Sequence, residues 1–494
     1  MSKKWIAVLL CLTLCLIGCV SATANEEMPT IVYTWMHMNN TINDEALADV
    51  EAALNEIVEP KIGAHIKLWP IDIGNYVNTI ELALMAQEQV DLVTYWPDYS
   101  AGVNKGLLMD ITDILETYAP VAVQKSGEDF MKCVEINGRI YGVPCDKGSA
   151  LVPCFVYRSD MAEAANIDMS GVHSLSDLTE IFAQFKAAYP EVYPLYIGPG
   201  DGNIIMTLKA AGYDKLGDET GACLIGEGQE TLKVSNVYAS EEFRELCYLM
   251  HDWYEAGYIS PDSSTTTLDG RQAVSSGNYW GYEGLNAGNY FANEASLNIG
   301  YPMDFVQTAR TFLGSTDGAH VVWSVTASCK NPEKALEFLD LTYSDVDVVN
   351  LILYGIYGRD YVLNEDGFVE WPEGYDINTV PYTSQYACGV VGSQYIQYEL
   401  AGTPLNNKEV MAWDDENSDR SSAIGFRFDT TGYETEITLI SNVVNQYLAG
   451  LIGGIVDVDA TLEEFNRALD NAGMQTIIEA KQAQLDTWLA AQGK

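Results

Sequence analysis

The sequence predicts an α/β protein of two lobes, on three observations. Strand-like and helix-like stretches alternate from residue 31 to residue 95 in the order β-α-β-α-β, which calls for a parallel sheet with right-handed crossovers. The alternation restarts near residue 151, marking a second unit of the same class. The chain has 494 residues, 48% of them hydrophobic, which is more than a single core needs.

The first strand, 31–35 (IVYTW), is β-branched and aromatic. Residues 43–59 switch to a helical period: Leu47, Val50, Leu54 and Ile57/Val58 share one face, Asn43 or Asp44 caps, and Pro60 is the expected stop. Residues 64–69 (AHIKLW) read as a strand, 76–87 as a helix and 91–95 as a third strand. A helix near 112–118 and an extended piece at 137–144 (NGRIYGVP) complete the unit. The second unit starts with a strand at 151–157. A helix follows at 176–188, with Leu178, Ile181, Phe182 and Phe185 on one side, and a strand at 193–197. Ser240 caps a helix whose face carries Phe243, Leu246, Met250 and Trp253 and which ends near Gly257. Residues 320–325 form a strand holding Trp323, and Asn331 with Pro332 opens a helix to about Tyr343. The tail, 435–494, is helical, with a capping box from Thr461 to Glu464 and a stop at Gly473.

In open α/β sheets, ligands sit beyond the carboxyl ends of the strands. The first three strands each end on a flat aromatic: Trp35, Trp69, then Tyr95-Trp96, followed by Asp98 and Tyr99. A glycine-flanked cluster at 279–283 (YWGYE) adds Trp280 and Glu283. Any one of these is equally at home in a core. Their register at strand ends makes Trp35 and Trp96 the leading candidates.

Seventy acidic residues against 26 basic ones give a formal charge of −44, which argues against nucleic acid and anionic lipid surfaces as partners. At the start, Lys3 and Lys4 lead into an apolar run, 5–17, too short to span a bilayer, as in an export signal. Residues 20–28 are polar and small, a leash. Cys133, Cys145, Cys154, Cys223, Cys247, Cys329 and Cys388 follow at irregular spacings without C-x-x-C. They read as reduced, buried thiols, a Cys145–Cys154 bridge being the one pairing considered. No cofactor and no metal is expected: the histidines are scattered, and the aspartates at 414–419 lack the glycine and spacing of a calcium loop.

The ending Leu16-Ile17-Gly18-Cys19 resembles a bacterial lipobox, which implies lipid on Cys19. The stretches 350–358 (NLILYGIYG), 425–429 (GFRFD) and 482–488 (QAQLDTW), with 141–144 (YGVP) and 331–334 (NPEK), resemble extracellular solute-binding lipoproteins of ABC importers. The likeness is to a long subgroup associated with carbohydrate uptake. Tyr357 and the run 392–395 (GSQY) depart from that pattern. The resemblance implies a type II periplasmic-binding-protein-like fold: two α/β lobes, crossing hinge segments and a helical C-terminal tail. It places the crossings near 147–151, 296–301 and 344–346. Lobe 1 then takes 29–150 and 300–345, and lobe 2 takes 151–299 and 346–494. It further implies a monomer on the outer face of the cell membrane, handing a sugar to a permease.

For a sugar, Trp35, Trp96, Trp280 and Trp323 would supply flat faces, with Tyr99, while Asp98, Asp146 and Glu283 would bond hydroxyls. A peptide or charged-solute binder would instead use Arg139, Lys147, Arg158 or Arg359. A cell-surface glycosidase would need a pair of carboxylates flanking the bond, which 70 acids cannot mark by themselves.

Overall fold

The computed structural model describes residues 28–37, 42–95, 99–199, 203–286, 288–289 and 291–493. The expected signal, the leash up to residue 27 and Cys19 lie outside the described residues, as do Trp96 and Asp98.

β1 (Thr30–His37) pairs in parallel with β2 (His65–Asp72) and β3 (Leu92–Thr94). α1 (Asp44–Ile62) and α2 (Tyr76–Met85) make the crossovers. Asn43 caps α1, its side-chain oxygen accepting from the N–H groups of Glu45 at 2.9 Å and Ala46 at 3.3 Å. α1 runs through Pro60 and stops at Gly63, which takes φ 65° and donates to the Glu59 carbonyl. In the last turn a proline removes one ladder bond, whereas glycine supplies the left-handed conformation that ends the helix.

β4 (Val143–Pro144) leaves this sheet, and the chain crosses to β5 (Val152–Arg158). α3 (Leu178–Ala188), β6 (Tyr193–Tyr196), α4 (Glu241–Glu255), β7 (Tyr279–Asn286), α5 (Phe291–Ile299) and β8 (Met303–Gln307) follow. The second sheet runs β8-β5-β7-β6. The chain then returns as β9 (Val322–Val325), antiparallel between β3 and β4, completing the order β2-β1-β3-β9-β4.

Two of the expected crossings move. β8 belongs to the second sheet, so the return falls between Gln307 and Val322, not near 296–301. Residues 344–346 are a corner between α6 (Pro332–Ser344) and α7 (Val346–Tyr354), where Asp345 caps α7 and pairs with Lys61 of α1. Val348, Val349, Ile352, Leu353, Tyr354, Tyr382 and Val391 are buried in the core of the first sheet. The expected lobe 2 stretch from 346 to about 391 therefore packs in lobe 1, because α7 has an apolar face that α1 and α6 cover. The chain passes back to lobe 2 after α8 (Asn407–Asn417), and α9 (Glu434–Ile452), α10 (Val458–Ala472) and α11 (Met474–Ala491) pack on the core of the second sheet. The cap of α10 is Asp457, which accepts from Ala460 N at 2.9 Å; Thr461 lies inside the helix. The seven cysteines from Cys133 to Cys388 are free thiols, so Cys145 and Cys154 are not bridged.

The first crossing is strapped down. Asp146 bonds through its backbone to Gly392 and Gln394, and its carboxylate accepts from Ser393 Oγ at 2.5 Å. Asp415 of α8 accepts from the consecutive N–H groups of Ser149 (2.9 Å) and Ala150 (2.6 Å), and its other oxygen takes the Tyr395 hydroxyl at 3.3 Å. Burial pushes Asp415 up to about 6, against those hydrogen bonds. The unfolded chain therefore sheds this proton first as pH rises, and the Asp415 contribution to stability falls between about pH 4 and pH 6. Asp415→Asn keeps an oxygen for both N–H groups and has no charge to bury. Relative to that variant, the parent chain loses about 1–3 kcal/mol of stability from pH 4 to pH 7, read by urea unfolding. Asp414, also raised to about 6 by burial and by the neighbouring Asp415 charge, titrates in both chains, and the part of its shift that Asp415 supplies adds to the difference in the same direction. A difference independent of pH refutes the assignment.

Candidate functional site

The strand registers aim both sheets at one seam. β1, β3 and β4 run the same way and end at His37, Thr94 and Pro144. β5 begins opposite the end of β7, Val152 facing Asn286, and β6 runs parallel to β7 and ends at Tyr196. Because β4 feeds β5 through the strapped crossing, the carboxyl ends of both sheets converge there, where ligands of open α/β sheets collect.

A cavity of about 360 Å³ opens at this seam. Leu151 at the end of the crossing and Leu285 near the end of β7 form its floor. Asn203, the stretch 314–320, the loop 213–219 and Arg427 form its walls.

Leu151, Met206, Leu285 and Ala319 share its lining with charged groups, most of them paired. Lys209, 4% exposed, pairs with Asp317 at 2.9 Å and donates to the Phe312 carbonyl at 3.0 Å. Burial alone would raise Asp317, but Lys209, His320 and the Gly314 N–H outweigh it and hold the carboxyl below its usual value. Asp214 is raised by burial, although Ser421, Leu216 N–H and Ser315 all donate to it. Lys215 pairs with Glu219 at 2.7 Å. The His320 ring opens onto the cavity and is about half exposed, at 54%. Desolvation lowers its pKa, Asp317 opposes this, and Lys147, Lys209 and Lys215 add to it, so the imidazole is neutral at pH 7.

The sequence-predicted residues do not assemble there. Trp35 is fully buried in the first core, its indole N–H donating to Ser384 Oγ at 3.1 Å. Trp323 is fully buried, stacked on Tyr33 at 4.5 Å and bonded to the Val390 carbonyl. Trp280 lies in the second core, stacked on Phe185 at 4.2 Å and bonded to the Arg158 carbonyl. Tyr99 is buried between the Val134 carbonyl and the Tyr141 N–H. Glu283 is buried inside the second sheet, where Thr308 Oγ1 donates to it. No ligand can lie on these faces without displacing core, so they are corrected to packing residues. Asp146 straps the crossing, and Trp96 and Asp98 are outside the described residues. Lys209, Asp214, Asp317 and His320 were missed because isolated charged residues carry no period. Arg427 alone sat in a recognised motif.

The family model described as bacterial extracellular solute-binding protein matches residues 53–352, and a domain of unknown function matches residues 422–490. The chain belongs to the bacterial extracellular solute-binding proteins. Among relatives of this solute-binding protein is a carbohydrate ABC transporter substrate-binding protein of Streptococcus pneumoniae, 26% identical over 90% of this chain and 88% of that one. The N-glycan transport solute-binding protein of Streptococcus pneumoniae has a similar fold: TM-score 0.79, 23% identity, 94% of this chain and 100% of that chain. An HMO-binding, ABC-transporter-associated solute-binding protein of Bifidobacterium longum infantis gives 0.62 at 14% identity over 94% and 99%.

Trp280 separates a core role from a stacking role. Trp280→Phe lowers stability by about 1–3 kcal/mol through the lost indole contacts and leaves solute affinity unchanged, read by denaturant unfolding and calorimetry.

Proposed function

We propose that this solute-binding protein captures a neutral, hydroxyl-rich sugar or oligosaccharide at the interlobe seam and presents it to an ABC permease. It would do so as a monomer held on the outer face of the membrane by lipid on Cys19. The observation that carries this is the seam cavity, where apolar surface from Leu151, Met206, Leu285 and Ala319 lies beside polar side chains, with Lys209 and Lys215 each on its own carboxylate. A charged solute would need a cation to spare. Of the four earlier candidates, three are committed elsewhere, Arg139 to Asp110 and Asp113, Arg158 to Asp160, and Arg359 to Asp49 and Asp360, while the fourth, Lys147, is desolvated, which lowers its pKa. A second cavity of about 240 Å³ sets Gln385, Gln394, Tyr398 and Thr403 across from Asn293 of α5, the amide and phenol groups that suit hydroxyls. Asp214 and Asp317 are engaged as acceptors, which does not favour a glycosidase pair. The relatives named as carbohydrate transporter proteins point the same way.

Capture would proceed by hinge closure, the ligand stabilising the shut form. The chain superposes more closely on the N-glycan protein without a named ligand (0.79) than on its complexes with Man1GlcNAc (0.68) or Man5GlcNAc (0.65), which supports reading this conformation as open.

Calorimetry with a panel of neutral oligosaccharides should give saturable binding to at least one. His320→Ala should weaken that binding by about 2–10-fold without lowering the melting temperature, since its ring holds no core contact. Heat from none of the panel sinks the sugar assignment. In cells, Cys19→Ser should abolish incorporation of labelled fatty acid and shift the protein from membrane to medium. Labelling that persists in the variant rules out that anchor.

A further inference from the structure

Two of the motifs behind the family resemblance, 425–429 and 482–488, contribute only Arg427 to the cavity, yet they meet behind its wall. The wall is the loop 212–223, which supplies Tyr213, Asp214, Lys215, Gly217, Asp218 and Glu219. That loop holds Leu216 at φ 59°, Gly217 at φ 100° and Gly221 at φ 86°. A left-handed leucine persists only when surrounding structure dictates it.

The C-terminal helices do the dictating. Lys481 of α11, fully buried, reaches through to the loop from behind. Its Nζ donates to the Lys215 carbonyl (2.9 Å) and the Ala222 carbonyl (2.6 Å) and pairs with the Asp218 carboxylate (2.9 Å). One ammonium thus uses its three donors to close both ends and the tip of the same loop. Phe428 N–H bonds the Leu216 carbonyl at 3.0 Å, and Gln484 holds Asp429 from both sides at 2.8 and 3.0 Å. Gln482 does the same for the next strand segment through Val234 N and Leu232 O.

We propose that the C-terminal segment matched as a domain of unknown function sets the shape of the ligand cavity, with Lys481 as its positioning residue. The role in ligand binding rests on the assignment of the seam as the sugar site; the role in ordering the loop does not.

The test uses the full chain and reads loop order and affinity separately. In Lys481→Met, amide hydrogen exchange at 214–222 in the absence of sugar should rise about tenfold or more, and affinity for Man1GlcNAc or Man5GlcNAc should fall about tenfold. Lys481→Met leaves Asp218 unpaired, so Lys481→Met/Asp218→Asn, which removes both charges, guards against simple misfolding and should show the same loop exchange. Asp218→Asn alone keeps both carbonyl bonds but leaves the buried Lys481 ammonium without its counter-charge, so exchange should rise less than in Lys481→Met. Leu469→Ala, a cavity in the same helical segment away from the wall, should cost global stability while leaving loop exchange and affinity as they were. The proposal is overturned if Lys481→Met leaves the loop amides slow, or if Asp218→Asn or Leu469→Ala speeds them equally. If the parent chain binds neither sugar, the sugar assignment fails while the exchange arm still decides the role of Lys481.

Discussion

Everything in this fold turns on how the chain leaves the first sheet. The crossing from Pro144 to Val152 is short, and its backbone is bonded at nearly every step: Cys145 to Val321, Asp146 to Gly392 and Gln394, Ser149 and Ala150 to Asp415. A slack linker would let the two sheets adopt many relative orientations. A bonded one brings the carboxyl ends of both sets of strands to the same seam, and the cavity follows from that convergence. The unpaired N–H groups of an irregular, buried segment must be met by acceptors. Here they are met by a carboxylate from α8, a helix far along the chain, so the crossing cannot be understood from its own residues.

The seam cavity and the acidic chain present the same physical problem at two scales. With a net charge of −44, the surface repels anions generally, and most cations are placed against particular carboxylates. In the seam this produces Lys209 against Asp317 and Lys215 against Glu219, with Lys481 neutralising Asp218 from behind. Paired charges in a partly closed space present donors and acceptors without a strong net field. That suits a guest that carries hydroxyls and no charge, and Lys209 and Lys215 would have to leave their carboxylates to meet an anionic one.

The indole positions show where sequence patterns mislead. Trp35, Trp280 and Trp323 stand at strand ends and in a glycine-flanked cluster, as stacking platforms would. Yet Tyr33, Thr34, Trp35 and Met36 are all buried, so the end of β1 is covered on both faces and Trp35 has no open side. For β7 no alternation could help: Trp280 and Glu283 lie on opposite faces and both are buried, because helices cover the sheet on each side.

By itself, the sequence determined the element order, most helix caps and stops, the α/β class and the presence of two cores, since these follow from local periodicity and from the conformational limits of asparagine, glycine and proline. Pro60 and Thr461 were misjudged because another residue nearby in the chain, Gly63 or Asp457, supplied the stop or the cap, and the 344–346 corner because α1 and α6 cover α7. Only the tertiary structure decided which lobe owns β8 and α7, where the chain crosses, and which charged residues face the seam. Those outcomes depend on contacts between residues hundreds of positions apart, such as Lys481 with Lys215 or Asp415 with Ser149, and a lysine or aspartate bears no local mark of the partner it will meet.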